Sequence, residues 1–194
     1  MEQTERKPAV LFSIRRKWDK LILSGKKTLE IRKTAPKRFI GGGFKGYIYE
    51  CGLGVTAEFR CRLVYRIIKV GGCDFAGALN LYERACMTFA EMDAYLGDKE
   101  GYGIAISDLK IYEKPRPITD FVKAGTPSFE EVADSLCPYC EETDHGDNAS
   151  YSTPTGYVSC EGAYCQSAYQ AFLDYEGHTL TRPPQSWCYV EEPG

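Results

Sequence analysis

The sequence predicts an α+β fold, a small mixed β-barrel with flanking helices that carries a small inserted segment. Three observations lead there. Short apolar or alternating runs recur over residues 8–70 and again near 101–114 and 186–192, with helical spacing between them. No internal repeat is visible. The stretch from about Glu130 to His178 differs from the rest, with ten acidic residues and no Lys or Arg.

PAVLFSI (Pro8–Ile14) is an apolar run of strand length. Ser13 is placed to cap a helix from about Arg15 to Ser24, with Trp18, Leu21 and Ile22 as its apolar face and Gly25 to end it. KTLEIRK (Lys27–Lys33) alternates as a strand, Leu29 and Ile31 on one face, Thr28, Glu30 and Arg32 on the other. Pro36 and Gly41–Gly43 make the next stretch a loop. YIYEC reads as a strand, and VTAEFRCRLVYRIIKV as one strand long enough to bend or to cross a barrel. Phe75–Leu96 has helical spacing, broken near Met87–Thr88. GYGIAISDLKIYEK is a strand pair or one long strand closed by Pro115 and Pro117, and SWCYVEE (Ser186–Glu192) is the last strand. Residues 1–128 then form the first part of the barrel, 129–179 the insertion, and 180–194 its closing strand.

The chain of 194 residues has 24 Lys+Arg and 27 Asp+Glu, a net charge of −3. That figure averages two unlike regions. Residues 1–45 hold 13 basic and 4 acidic residues, a balance of +9; the remainder holds 11 and 23, a balance of −12. A basic end on an acidic chain points to a local anion-binding face, against the plainer reading of a solvated basic helix. No apolar run approaches the roughly 18–20 residues that span a bilayer. The first residues lack a small-residue cleavage site, so a cytoplasmic location is expected, with no membrane partner.

Nine cysteines fall into two classes. Cys51, Cys61, Cys73, Cys86 and Cys188 are scattered and read as small core residues. Cys137, Cys140, Cys160 and Cys165 are clustered as C-x2-C, nineteen residues, then C-x4-C. A segment this polar buries too little apolar area to fold alone, and four thiolates on one structural zinc ion would supply the missing free energy. Reduced or disulfide-paired cysteines are the alternative, and His145 is a second-choice ligand. The middle of the segment, EETDHGDNASYSTPTG, reads as polar turn, and CQSAYQAFLDYEG as a short amphipathic helix. Its acidity makes it a poor nucleic-acid reader and a candidate surface for a protein partner.

The constellation that carries function is SIRRKWDKLILSGKKTLEIRK, which contains the frame G-x-K-x-x-E-x-R: Gly25, Lys27, Glu30 and Arg32. This resembles the signature of the ASCH domain, a PUA-like β-barrel family. EGYGIAISDLKIYEKPRPI is similar to a later strand of that family, and RPPQSWCYVE to the closing strand of a bacterial and phage subgroup. The resemblance covers roughly residues 8–125 and 180–192, and the cysteine segment looks like a subgroup insertion. It implies a cleft beside the first helix that binds RNA or a nucleotide. Some members are hydrolases: one branch deacetylates N4-acetylcytidine and another cleaves RNA as a ribonuclease. The deacetylase branch has a threonine nucleophile where this chain has Glu30, and Thr28 lies two residues earlier.

Glu30 and Arg32 share a strand face, so they present acceptor and donors side by side, as a base edge requires. The competing reading is a surface ion pair. Arg15, Arg16, Lys26, Lys27, Lys33, Gln185 and Ser186 complete the candidate nucleic-acid-binding set. If the cleft is catalytic, Lys27 and Glu30 are its acid–base candidates, Lys27 through a pKa depressed by neighbouring cations. Lys37, Arg38 and Lys45 extend the basic rim, and Trp18, Phe39, Phe44 and Tyr47 offer stacking faces, though a tryptophan at the Trp18 position is more often a core residue of an amphipathic helix. No catalytic triad, phosphate loop or dinucleotide fingerprint occurs.

Overall fold

A computed structural model describes residues 8–37, 43–70, 74–126, 149–153, 156–160, 173 and 176–191. One sheet contains β1 (Pro8–Ile14), β3 (Phe44–Glu50), β4 (Gly54–Cys61), β8 (Ser107–Arg116) and β11 (Trp187–Glu191), in the order β11-β1-β3-β4-β8. A second contains β2 (Leu29–Arg32), β5 (Val64–Val70), β6 (Asp74–Ala76) and β7 (Gly101–Ala105), in the order β2-β7-β5-β6. The helices are α1 (Arg16–Leu23), α2 (Leu81–Ala85) and α3 (Phe89–Leu96), and β9 (Ala149–Thr153) and β10 (Gly156–Cys160) pair as a hairpin. The α+β class is as predicted. Among the described residues the two sheets do not close into one ring. No helix among them is long and apolar enough to cross a membrane.

The unbroken apolar run of β1 has a simple cause. Ala9, Val10, Leu11, Phe12 and Ile14 are all buried, and they divide between two core clusters, so both faces of the strand are covered. β1 pairs parallel with β3, which demands a crossover; α1 and β2 supply it. The close approach inside the sheet depends on Gly46, where an added Cβ would sit 2.3 Å from the Phe59 ring.

Several expectations are corrected. The single long strand expected over residues 55–70 is two, because the chain leaves one sheet at Arg62–Leu63 and enters the other. It returns through Ile106, between β7 and β8, and Ala105 N–H donates to the Leu63 carbonyl at 3.1 Å where the crossings meet. Phe75 lies in β6 rather than in a helix, while the helical break near Met87–Thr88 is present. There Thr88 caps α3 reciprocally: its hydroxyl accepts from Glu91 N–H at 3.2 Å, and the Glu91 carboxylate accepts from Thr88 N–H at 3.0 Å. The described residues of the polar stretch at 141–156 are strand where turn was expected, 149–153 in β9 and Gly156 at the start of β10. Cys61 is buried as expected and Cys86 and Cys188 are half-buried, but Cys51 sits exposed in the turn after β3. Cys73, Cys137, Cys140, Cys165, His145 and the helix expected at 165–177 lie outside the described residues, apart from Leu173, Glu176 and Gly177, and so does the side chain of Cys160.

Candidate functional site

The site is built where the two sheets face each other beside α1. β1 ends at Ile14, Arg15 turns the chain, and α1 runs to a stop at Gly25, whose φ of +73° suits glycine. Gly25 N–H donates to the Ile22 carbonyl at 2.8 Å and Lys27 N–H to the Leu21 carbonyl at 2.9 Å. This tight exit delivers Lys27 and β2 back under the helix. β2 then pairs with β7, Glu30 opposite Ile104 and Arg32 opposite Tyr102. The segment before β11 closes the far side. Ser13 donates its hydroxyl to the Pro184 carbonyl at 2.6 Å and its N–H to the Ser186 carbonyl at 2.9 Å. Ser13 is therefore not the helix cap; the cap residue is Arg15, with no side-chain cap bond.

Between these elements lies a cleft of about 680 Å³. Its floor is an ion triad. Lys27 Nζ, with a side chain 1% exposed, lies 3.4 Å from Glu30 Oε2; Glu30 Oε1 lies 3.1 Å from Arg32 Nε. The Glu30 and Arg32 side chains are 10% and 9% exposed, so the surface-pair reading fails. Lys27 also donates to the Ala85 carbonyl at 2.7 Å and sits 4.8 Å from the Trp18 ring centre. Arg32 donates to the Ser13 carbonyl at 2.7 Å and to Ser186 Oγ at 3.3 Å. Its Nε–H is not aimed at the nearby carboxylate, so that contact is one of charge and not a hydrogen bond.

Burial lowers the Lys27 pKa below the usual lysine value, and Glu30 opposes the fall. The depression thus has a cause other than the one expected: desolvation leads, and the Arg32 charge is a minor contributor.

Among the described residues, Arg15, Lys27, Arg32 and Lys33 line the cleft against one carboxylate, Glu30, an excess of three positive charges. Gln185 and Ser186 also line it. Arg16 and Lys26 do not: Arg16 reaches Glu50 at 3.5 Å, and Lys26 is exposed beyond the helix stop. Lys45 pairs with Glu58 at 3.3 Å away from the cleft, and Lys37 is exposed. Phe44 and Tyr47 are core residues and offer no stacking face; Arg38 and Phe39 lie outside the described residues. Thr28 is absent from the lining, its hydroxyl 3.5 Å from Arg84 Nε. Sequence reasoning missed Tyr95, Met87, Thr34 and Cys51, which reach the cleft from α3, from the turn before it, from the end of β2 and from the turn after β3. None had a local signal.

No protein-family model matches the chain. No curated protein matches it either. Among solved structures, the chain is similar to an ASCH protein from Zymomonas mobilis, at 13% identity and a TM-score of 0.44 over 86% of this chain and 94% of that one. It is similar to a point mutant of the same protein at 14% identity and a TM-score of 0.44, over 86% and 96% of the two chains.

Directly behind the cleft wall is a second ionisable group. Asp19 on α1 is fully buried; Thr56 donates its hydroxyl to Asp19 Oδ1 at 2.8 Å, and Oδ2 has no donor among the described residues. Burial pushes its pKa up to about 6, Thr56 opposes the rise, and the neighbouring Glu50 carboxyl adds to it. A proton on Asp19 removes the charge from this buried carboxyl and lets it donate to the neighbouring Glu50 carboxylate.

Proposed function

We propose that this chain is an ASCH-type, PUA-like domain that binds RNA or a nucleotide in the cleft between β1, α1 and β2. The observation that carries the reading is the net positive cleft over a buried Lys27–Glu30–Arg32 floor. Glu30 offers acceptors and Arg32 donors to a base edge, held at fixed spacing by burial and by the Ser13 and Ser186 bonds. Arg15 and Lys33, both exposed, supply charge for phosphates.

Binding of a labelled single-stranded RNA and of mononucleotides is measured over a salt series. Affinity that falls steeply with salt and is lost in Arg32→Ala supports the reading; no binding at low salt sinks it.

The same cleft could host hydrolysis with Glu30 as the proton acceptor. Lys27 is ill placed as the base, since its amine is nearly inaccessible and already directed at Ala85, Glu30 and Trp18. Turnover of N4-acetylcytidine or RNA that vanishes in Glu30→Gln would establish that activity. We further propose that Cys137, Cys140, Cys160 and Cys165 hold one zinc ion. A four-thiolate donor set suits zinc and leaves no open position, so the ion's role is to fold the insertion.

A further inference from the structure

Among the described residues two aromatic rings line the cleft, Trp18 and Tyr95, and their surroundings differ. The Trp18 ring packs against the core and has two ammonium groups over it, Lys17 Nζ at 4.3 Å and Lys27 Nζ at 4.8 Å from its centre. Stacking a base there would compete with Lys17, held by Glu91 at 2.7 Å, or with Lys27, held by Ala85 at 2.7 Å and by Glu30. Tyr95 is 37% exposed, and among the described residues a single cation, Lys33 Nζ at 5.2 Å, is set against its ring. A cleft-lining aromatic residue more than a third exposed offers surface to a planar ligand.

The platform is also rigid. Met92 and Leu96 of α3 are buried, Thr88 caps the helix, and Lys17 ties α1 to Glu91 of α3 at 2.7 Å. Lys33 follows Arg32 directly, so the cation against Tyr95 leads straight to the floor of the cleft.

We infer that Tyr95 is the stacking platform of the cleft. The ligand is accordingly one with an unpaired nucleobase, its ring on Tyr95 and its edge toward Glu30 and Arg32, and not a bare sugar phosphate or polyphosphate. This rests on the nucleotide-binding reading and adds to it the requirement for a base.

The test measures affinity for the four ribonucleoside 5′-monophosphates, a short single-stranded RNA, ribose 5-phosphate and pyrophosphate, with wild type, Tyr95→Ala, Tyr95→Phe and Trp18→Phe. Expected is a loss of roughly five- to hundredfold for the best nucleotide and for RNA in Tyr95→Ala, with Tyr95→Phe near wild type. Ribose 5-phosphate and pyrophosphate should bind weakly and equally to both. Tyr95→Ala should unfold close to wild type, since the side chain is partly in solvent. Nucleotide binding unchanged in Tyr95→Ala, or lost in Trp18→Phe instead, overturns the inference while leaving the proposed function standing. Ribose 5-phosphate bound as tightly as a nucleotide overturns it too. Absence of any nucleotide or RNA binding by wild type removes both.

Discussion

Lys27 lies 3.4 Å from Glu30 Oε2 with almost no solvent contact, and the Ala85 carbonyl and the Trp18 ring take its remaining directions. The ammonium is thus a structural cation that joins α2, α1 and β2. Lys27→Met should destabilise the fold by about 3 kcal/mol, because it leaves a buried carbonyl undonated and Glu30 with Arg32 alone. Lys27→Met combined with Glu30→Gln should cost less than the two single changes added, measured by urea denaturation. Strict additivity would contradict the pairing.

Asp19 gives a pH dependence of definite sign. Its folded pKa of about 6 lies above the ordinary 3.8, so the folded chain holds this proton more tightly than the unfolded chain. The contribution is most favourable below 3.8, declines as pH rises from there to about 6, and stays at its reduced level above. In Asp19→Asn the amide oxygen still accepts from Thr56 and the amide nitrogen donates to Glu50. The variant should therefore gain stability relative to wild type between about pH 4 and pH 7, read from thermal midpoints. Parallel pH profiles would tell against it.

The cap of α3 offers a local test. Thr88→Ala removes an acceptor for Glu91 N–H and should cost about 1 kcal/mol. Lys17→Ala, which removes an exposed partner of Glu91 and an exposed cation over the Trp18 ring, should cost less. Denaturant midpoints separate the two.

Elemental analysis of the purified chain should find about one zinc, reduced to none in Cys137→Ser. RNA affinity in the cleft should survive that change, since the described cleft-lining residues lie on other segments. A metal-free wild type would end the zinc proposal.

Legibility in the sequence followed how local each determinant was. β1 was readable because burial on both faces leaves an unbroken apolar run, and β2 because its alternation separates Leu29 and Ile31 from Glu30 and Arg32. Ser13 was misread because a serine before a helix looks the same whether its oxygen faces the helix or a carbonyl 171 residues away. The split between β4 and β5 was hidden since Arg62–Leu63 carries no glycine or proline to mark it. Tyr95 could not have been found, because only tertiary packing brings α3 over the end of β2.

Beside the last strand, Val122 bridges Thr179 and Lys123 bridges Val190. Lys123 N–H donates to the His178 carbonyl and Leu180 N–H to the Phe121 carbonyl, each at 2.9 Å, so the chain departs and comes back at one fastened gate. Seen from the sheets, a segment that leaves after Lys123 and returns at His178 is bracketed by these bonds and by the buried Leu173. Replacing residues 127–172 by a short glycine–serine turn, which keeps the buried Leu173 and its carbonyl bonds from His178 and Thr179, should leave the remaining chain folded and its thermal transition cooperative. The same gate would let unrelated segments be exchanged over the course of evolution without retuning the charged floor.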